Sequence, residues 1–209
     1  MSRFSPDFQT GLIDLMRWRR DVRRFRPDPV DEVLLSACLD TFLLAPSVGL
    51  SEPWRILRVD SAAARAAALD NYAAANARAL EGYSGARARL YSEMKLSGLR
   101  EAPVQLAVFC DDATDKGAGL GALTMPETRR YSVVAAITQF WLFARAQGLG
   151  VDWVSIIDPD RLARDLAAPD GWALVAYLCI GWPEQVSDAP ELERAGWEDR
   201  RGALPMEVR

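Results

Sequence analysis

Helices that outnumber strands, strands kept apart by helices, and a 209-residue length with ordinary composition predict one globular domain of the α/β or α+β class. Hydrophobic residues make up 50% and charged residues 26% of the chain, the balance of a protein with a buried core and a solvated surface. A chain of this length buries about two-thirds of its unfolded surface on folding.

Each element follows from its residues. Residues 7–18 form a short helix, with Phe8, Leu12, Leu15 and Met16 at helical spacing. Arg19-Arg20-Asp21-Val22-Arg23-Arg24-Phe25 follows at its C-terminal end, where the helix dipole favours cations. Pro27 and Pro29 break regular structure. Asp31 and Glu32 open a second helix whose face of Leu34, Leu35, Cys38, Leu39, Phe42 and Leu43 suits burial. The loop Ala45–Trp54 holds two prolines, a glycine and two serines; it is either a pocket frame or an ordinary helix-to-strand turn, and a strand over Arg55–Val59 follows.

Alanines between Ser61 and Leu80 predict a long helix, interrupted by Gly82 and Gly85. A further helix, Ala86–Leu96, ends near Gly98; the alanine-rich stretch before it offers little large apolar surface and suits loose packing or a lid over a site. Val104–Cys110 is the clearest strand. The loop after it carries Gly117, Gly119 and Gly121, but lacks both the Gly-Lys-Ser/Thr ending of a phosphate loop and the dinucleotide fingerprint. It reads as a mobile or interface loop.

Tyr131–Gln147 is apolar around most of its circumference and belongs in a core or at a subunit interface. Gly148 and Gly150 end it. Val151–Ile157 reads as a buried strand with Ser155 inside an apolar run, Pro159–Leu166 as a short helix and Leu174–Ile180 as the last strand. The tail from Glu184 is polar, with Trp197, Arg194, Arg200 and Arg201 as its anchors. A large apolar helix beside a mid-sized sheet favours a dimer.

Composition excludes several classes. A net charge of −4 argues against a general nucleic-acid binder, and no 18-residue uncharged apolar run exists to span a membrane. The N-terminus lacks the apolar stretch of a signal peptide. Cys38, Cys110 and Cys179 are widely spaced in apolar contexts and read as core residues of a cytoplasmic protein, with no metal spacing. Histidine is absent, so imidazole acid–base chemistry and histidine metal sites are excluded.

What remains is an arginine cluster, a Pro/Ser/Trp loop and tail arginines that could converge on one phosphorylated ligand. Seven tryptophans make a flavin or another planar cofactor a reasonable occupant. Taken singly, each feature also has a plain structural reading. The arginines could be a solvated loop, Asp21 their neutralising partner, Ser155 a packing residue, and Lys95 a surface lysine.

Together the motifs are more specific. Arg19–Phe25 resembles the Arg-Arg-Ser-x-Arg-x-Phe opening of the flavin-dependent nitroreductase family. Ala45–Trp54 resembles that family's Ala-Pro-Ser-x-x-Asn-x-Gln-Pro-Trp loop, and Gly148–Ser155 its Gly-Leu-Gly strand entry beside the flavin ring. Asp21, Leu50 and Glu52 depart from the usual serine, asparagine and glutamine. With Lys95–Pro103, Thr124–Thr128 and Trp153–Ile156, these departures resemble the branch that fragments reduced FMN to 5,6-dimethylbenzimidazole for the lower ligand of vitamin B12.

The resemblance implies an α+β, FMN-dependent nitroreductase-like fold in one domain over 1–209. A central mixed sheet flanked by helices, a lid at about 84–99, an extended tail from about 184, and an intertwined homodimer with FMN sites at its interface belong to that expectation. It implies that Arg19, Arg20 and Arg23 hold the FMN phosphate and ribityl oxygens, with Arg194 or Arg200 helping. Ser47 and Leu50 would line the flavin, Met94, Lys95 and Leu96 would form its lid, and Ser155 would sit near N5 and C4a.

The implied reaction is oxygen-dependent and metal-free. It takes FMNH2, delivered by a separate flavin reductase, as substrate and molecular oxygen as co-substrate, and yields 5,6-dimethylbenzimidazole and erythrose 4-phosphate, with the ribityl C1′ carbon becoming C2 of the product. Asp21, a carboxylate among arginines, is the expected base, and Ser155 a proton relay. The alternative is an FMN-dependent NAD(P)H nitroreductase or flavin reductase that retains its flavin. No nucleic-acid or membrane partner is expected, and the expected compartment is the cytoplasm.

Overall fold

The computed structural model describes residues 3–209. Among the described residues seven α-helices and four strands follow one another as α1 Pro6–Trp18, α2 Glu32–Asp40, β1 Trp54–Arg58, α3 Ala62–Glu81, α4 Gly85–Glu93, β2 Val104–Asp111, α5 Thr128–Ala146, β3 Gly150–Val154, α6 Pro159–Asp165, β4 Trp172–Gly181 and α7 Glu191–Arg194. Local chemistry sets the starts. The Ser5 side chain accepts from the Phe8 N–H, Asp31 from Val33 and Leu34, Ser61 from Ala64, and Asp158 from Arg161.

The sheet has the order β1-β2-β4-β3, and all three strand pairs are antiparallel. Its mixed character rests on one parallel bridge, Asp21 to Val151, through which the arginine segment runs along the free edge of β3. Both faces of the sheet are covered, so β2 is apolar at consecutive positions. Val104, Leu106, Val108 and Cys110 pack with α2 and α5, while Ala107 and Phe109 pack with α3 and α6 on the other face.

Several boundaries differ from expectation. The second helix stops at Asp40 and tightens into a 3-10 turn over Thr41–Leu44. The fourth ends at Glu93, so Met94–Leu96 lie in an extended segment beyond it. The strand expected over Val151–Ile157 ends at Val154, which places Ser155 on an exposed turn before α6 and not inside a buried run. An apolar sequence run cannot show where strand pairing stops. Here β4 pairs β3 only over Gly150–Val154.

All three cysteines are buried free thiols, as expected; burial raises Cys38 to about 11 and Cys110 to about 12. Among the described residues no helix is long and apolar enough to cross a membrane, and no cluster of acids and cysteines could hold a metal ion.

Helix α1 buries none of its residues within the chain. Phe8, Ile13 and Met16 are each 47–51% exposed and, with Phe8 stacked on Phe4 at 4.7 Å, leave an exposed apolar face. Such a face marks an interaction surface.

Candidate active site

The arginine segment is held between two elements. On one side the Val22 N–H donates to the Val151 carbonyl at 3.0 Å. Further on, Arg26 donates to the Trp182 carbonyl, and Glu184 donates back to that of Arg24. Phe25, 1% exposed, pins the segment into the core beneath Gly98 and Gly181.

Asp21 sits at the centre of this arrangement. Its Oδ1 accepts the Trp153 backbone N–H at 3.1 Å, and its Oδ2 accepts from Arg23 Nε and a terminal guanidinium nitrogen at 3.0 and 2.9 Å. The Arg23 side chain is only 11% exposed, and it also donates to the Lys95 carbonyl at 3.4 Å. That contact brings the segment after α4 to the site. Lys95 itself pairs with Glu101 at 2.5 Å.

Arg19 lies over the Trp141 ring at 4.6 Å, and Trp141 packs against Trp153. Arg20 donates to the carbonyls of Arg19 and Asp188, the latter in the tail. Burial lowers the pKa of both Arg19 and Arg20, and the nearby Arg200 charge lowers both further. Arg194 lines the same cleft. Arg194 therefore joins the cluster, and the charge of Arg200 is near enough to be felt there. Trp197 packs against Tyr83 and Tyr91, and Arg87 of α4 donates to its carbonyl, so the tail is fastened to α4 as well.

The cleft has a volume of about 340 Å³ and is lined by five arginines, Arg20, Arg23, Arg24, Arg145 and Arg194, against two acids, Asp21 and Glu191. The Nε atoms of Arg20 and Arg145 are buried without a hydrogen-bond partner. Arg145 is 4% exposed and rests on the Trp18 ring at 3.7 Å; burial lowers its pKa, and so does the Arg20 charge. Surplus positive charge with orphaned donors is suited to a multiply charged anion such as a phosphate monoester.

Ser47 and Leu50 are not brought to this cleft within one chain. They precede β1, the strand at the opposite sheet edge from β3, three inter-strand spacings or about 14 Å away. Ser47 Oγ accepts the Glu52 N–H at 3.1 Å, and the Val48 N–H donates to Ser132 at the start of α5. Leu50 is 73% exposed with left-handed backbone (φ 54°), as is Glu52 (φ 41°), conformations that cost ~1 kcal/mol for such residues. The glycine-rich loop holds this turn: a Cβ on Gly117 would meet the Gly49 carbonyl oxygen at 2.4 Å, and Lys116 pairs with Glu52.

Two residues of the site escape a reading of the sequence. Asp152, 1% exposed in β3, accepts the Gly98 N–H on Oδ2 at 2.6 Å and shares a hydrogen bond with the Asp21 carboxyl; burial, then the Asp21 charge, raises its pKa well above the usual carboxylate range. Arg145 is the other. The signal in both was a charge at an inward position of an apolar element.

The nitroreductase family model matches residues 16–182. The chain is 56% identical to a Rhodospirillum rubrum protein named 5,6-dimethylbenzimidazole synthase, over 95% of this chain and 94% of that one. A Rhodobacter capsulatus protein of the same name is 47% identical over 98% and 97%. Among solved structures, oxidized iodotyrosine deiodinase bound to FMN and 3-iodo-L-tyrosine superposes with a TM-score of 0.72 at 22% identity, covering 95% of this chain and 97% of that one. At that identity the last likeness speaks to fold alone.

Proposed function

The chain belongs to the nitroreductase family, in the branch of the 5,6-dimethylbenzimidazole synthases, and we propose that it fragments FMNH2 with molecular oxygen to 5,6-dimethylbenzimidazole and erythrose 4-phosphate. The observation that carries this reading is the 56% identity, over nearly the whole of both chains, to the Rhodospirillum rubrum protein of that name. The cationic cleft with its orphaned guanidinium nitrogens supports a phosphorylated flavin as occupant.

Arg19, Arg20 and Arg23, with Arg194 and Arg200 from the tail, hold the phosphate and ribityl oxygens. When bound, reduced FMN supplies both the electrons that reduce oxygen and the ring system that is taken apart. Asp21 takes up or hands on a proton near the ribityl chain, its carboxylate fixed by Trp153 N–H and Arg23. Ser155, exposed just past the end of β3, relays a proton on the ring side. Met94, Lys95 and Leu96 form the lid that keeps water out, tied down through the Lys95 carbonyl and the Gly98 N–H.

Ser47 and Leu50 reach the flavin from a second copy of the chain. The bare apolar face of α1 supports that homodimer. A separate flavin reductase supplies FMNH2, and no metal takes part.

The test is to incubate the purified protein with chemically reduced FMN in air and to measure 5,6-dimethylbenzimidazole by mass spectrometry. Product without added NAD(P)H supports the reading. Sustained NAD(P)H oxidation with the flavin recovered intact, and no product, would replace it with the nitroreductase alternative.

A further inference from the structure

We infer that Asp152 is a positioning residue for Asp21: a buried neutral carboxyl that donates a hydrogen bond to the Asp21 carboxylate and ties it to the lid at Gly98. The inference deepens the functional reading and rests on Asp21 being the group that moves a proton.

Asp152 is 1% exposed on the inward face of β3, opposite Cys179 of β4. Among the described residues no cation lies within ion-pair distance of it. Arg23 spends Nε and a terminal nitrogen on Asp21 Oδ2, and Lys95 is taken by Glu101. The other titratable groups turned towards it are Asp21 itself, Tyr72 of α3 and the Cys179 thiol, none of them positive. A carboxylate here would be a buried charge, favoured by one backbone N–H and by the charge of Arg23, which Asp21 already holds. Burial outweighs both, and a proton removes this costly state.

The hydrogen bonds fit the neutral acid. The Gly98 N–H donates to Oδ2, which suits a carbonyl oxygen and leaves the other oxygen to carry the proton; a hydrogen bond joins this carboxyl to that of Asp21. Asp21 then has a donor on every side: Trp153 N–H on Oδ1, Arg23 on Oδ2 and the Asp152 hydroxyl. Two adjacent carboxyls sharing one proton avoid the repulsion of two charges. Because the same side chain grips Gly98, the base and the closed lid are held by one residue. A side chain at Gly98 would strike the Phe25 ring at 2.3 Å, so the backbone comes this close only without one.

Two readouts test the inference, one of them free of flavin. The infrared spectrum of the parent protein without ligand, at neutral pH, should contain the carbonyl stretch of a protonated carboxylic acid, and Asp152→Asn should lose it. A spectrum unchanged by the substitution overturns the inference. With reduced FMN, Asp152→Leu should slow product formation about tenfold or more and move the acid limb of its pH profile upward, since Asp21 has lost a donor. Asp152→Asn should restore that limb, because a carboxamide both donates to Asp21 and accepts from Gly98. An acid limb that moves to lower pH in Asp152→Asn would mean the parent carries a second negative charge beside Asp21, and would also overturn it. If the parent makes no product, the functional reading falls, and the infrared band alone decides the state of Asp152.

Discussion

Replacing Asp152 with asparagine should make the protein's stability less dependent on pH, in a direction fixed by the burial of this residue. The folded state holds the Asp152 carboxyl well above the usual range, chiefly because burial penalises its charge. In the unfolded chain the same group titrates at about 3.9. Below that pH both states carry the proton and no difference exists. Between the unfolded and folded values only the folded state keeps it, so unfolding releases a proton and stability falls as pH rises. The slope reaches about 1.4 kcal/mol per pH unit. Asparagine has no such slope, so Asp152→Asn should gain on its parent steadily as pH rises. For a chain of this size that gain is about 3–5 °C in Tm per pH unit within the window. Thermal melts of both proteins at equal concentration, from about pH 5 to pH 8, measure it, and the contributions of groups that do not touch Asp152 cancel in the difference. A Tm difference that stays flat with pH, or that turns against the variant, would refute a neutral buried Asp152.

Other outcomes follow from the same geometry. Gly98→Ala places a methyl group within 2.3 Å of Phe25 and should cost about 1–3 kcal/mol, read as a Tm lower by about 3–9 °C; an unchanged Tm would mean that this approach is not close. Arg20→Gln should weaken FMN binding about 10- to 100-fold in a fluorescence titration and lessen its salt dependence, whereas unchanged affinity would move the phosphate elsewhere. Asp21→Asn and Ser155→Gly should bind FMN yet yield no dimethylbenzimidazole; parent-like rates in both would remove their assigned roles. Ile13→Lys on the exposed face of α1 should turn the proposed dimer into a monomer in sedimentation and weaken flavin binding with it; a variant that sediments and binds as the parent does would remove the proposal that Ser47 and Leu50 come from a second copy.

The sequence carried the fold well because each element announces itself locally. The opening of α2 at Asp31, the alanine run of α3 after Ser61 and the β2 strand are written in neighbouring residues. It carried the arginine cluster for the same reason, since four arginines within six positions need no partner to be noticed. Asp152 and Arg145 were not legible, because a single charge in an apolar run says nothing about what faces it after folding. Asp152 gains its meaning from Gly98 and Asp21, which lie 54 and 131 positions away in the chain. Ser155 was misplaced because its neighbours are apolar while its strand pairing has already ended. The separation of Ser47 and Leu50 from the arginines is a matter of strand order, which no local pattern encodes.

The central claim, that this cleft consumes its flavin, is tested most directly with FMN labelled at the ribityl C1′ carbon, chemically reduced and mixed with the protein in air. The account expects 5,6-dimethylbenzimidazole carrying the label at C2 and erythrose 4-phosphate without it. Recovery of intact labelled FMN, with no labelled benzimidazole, would contradict it.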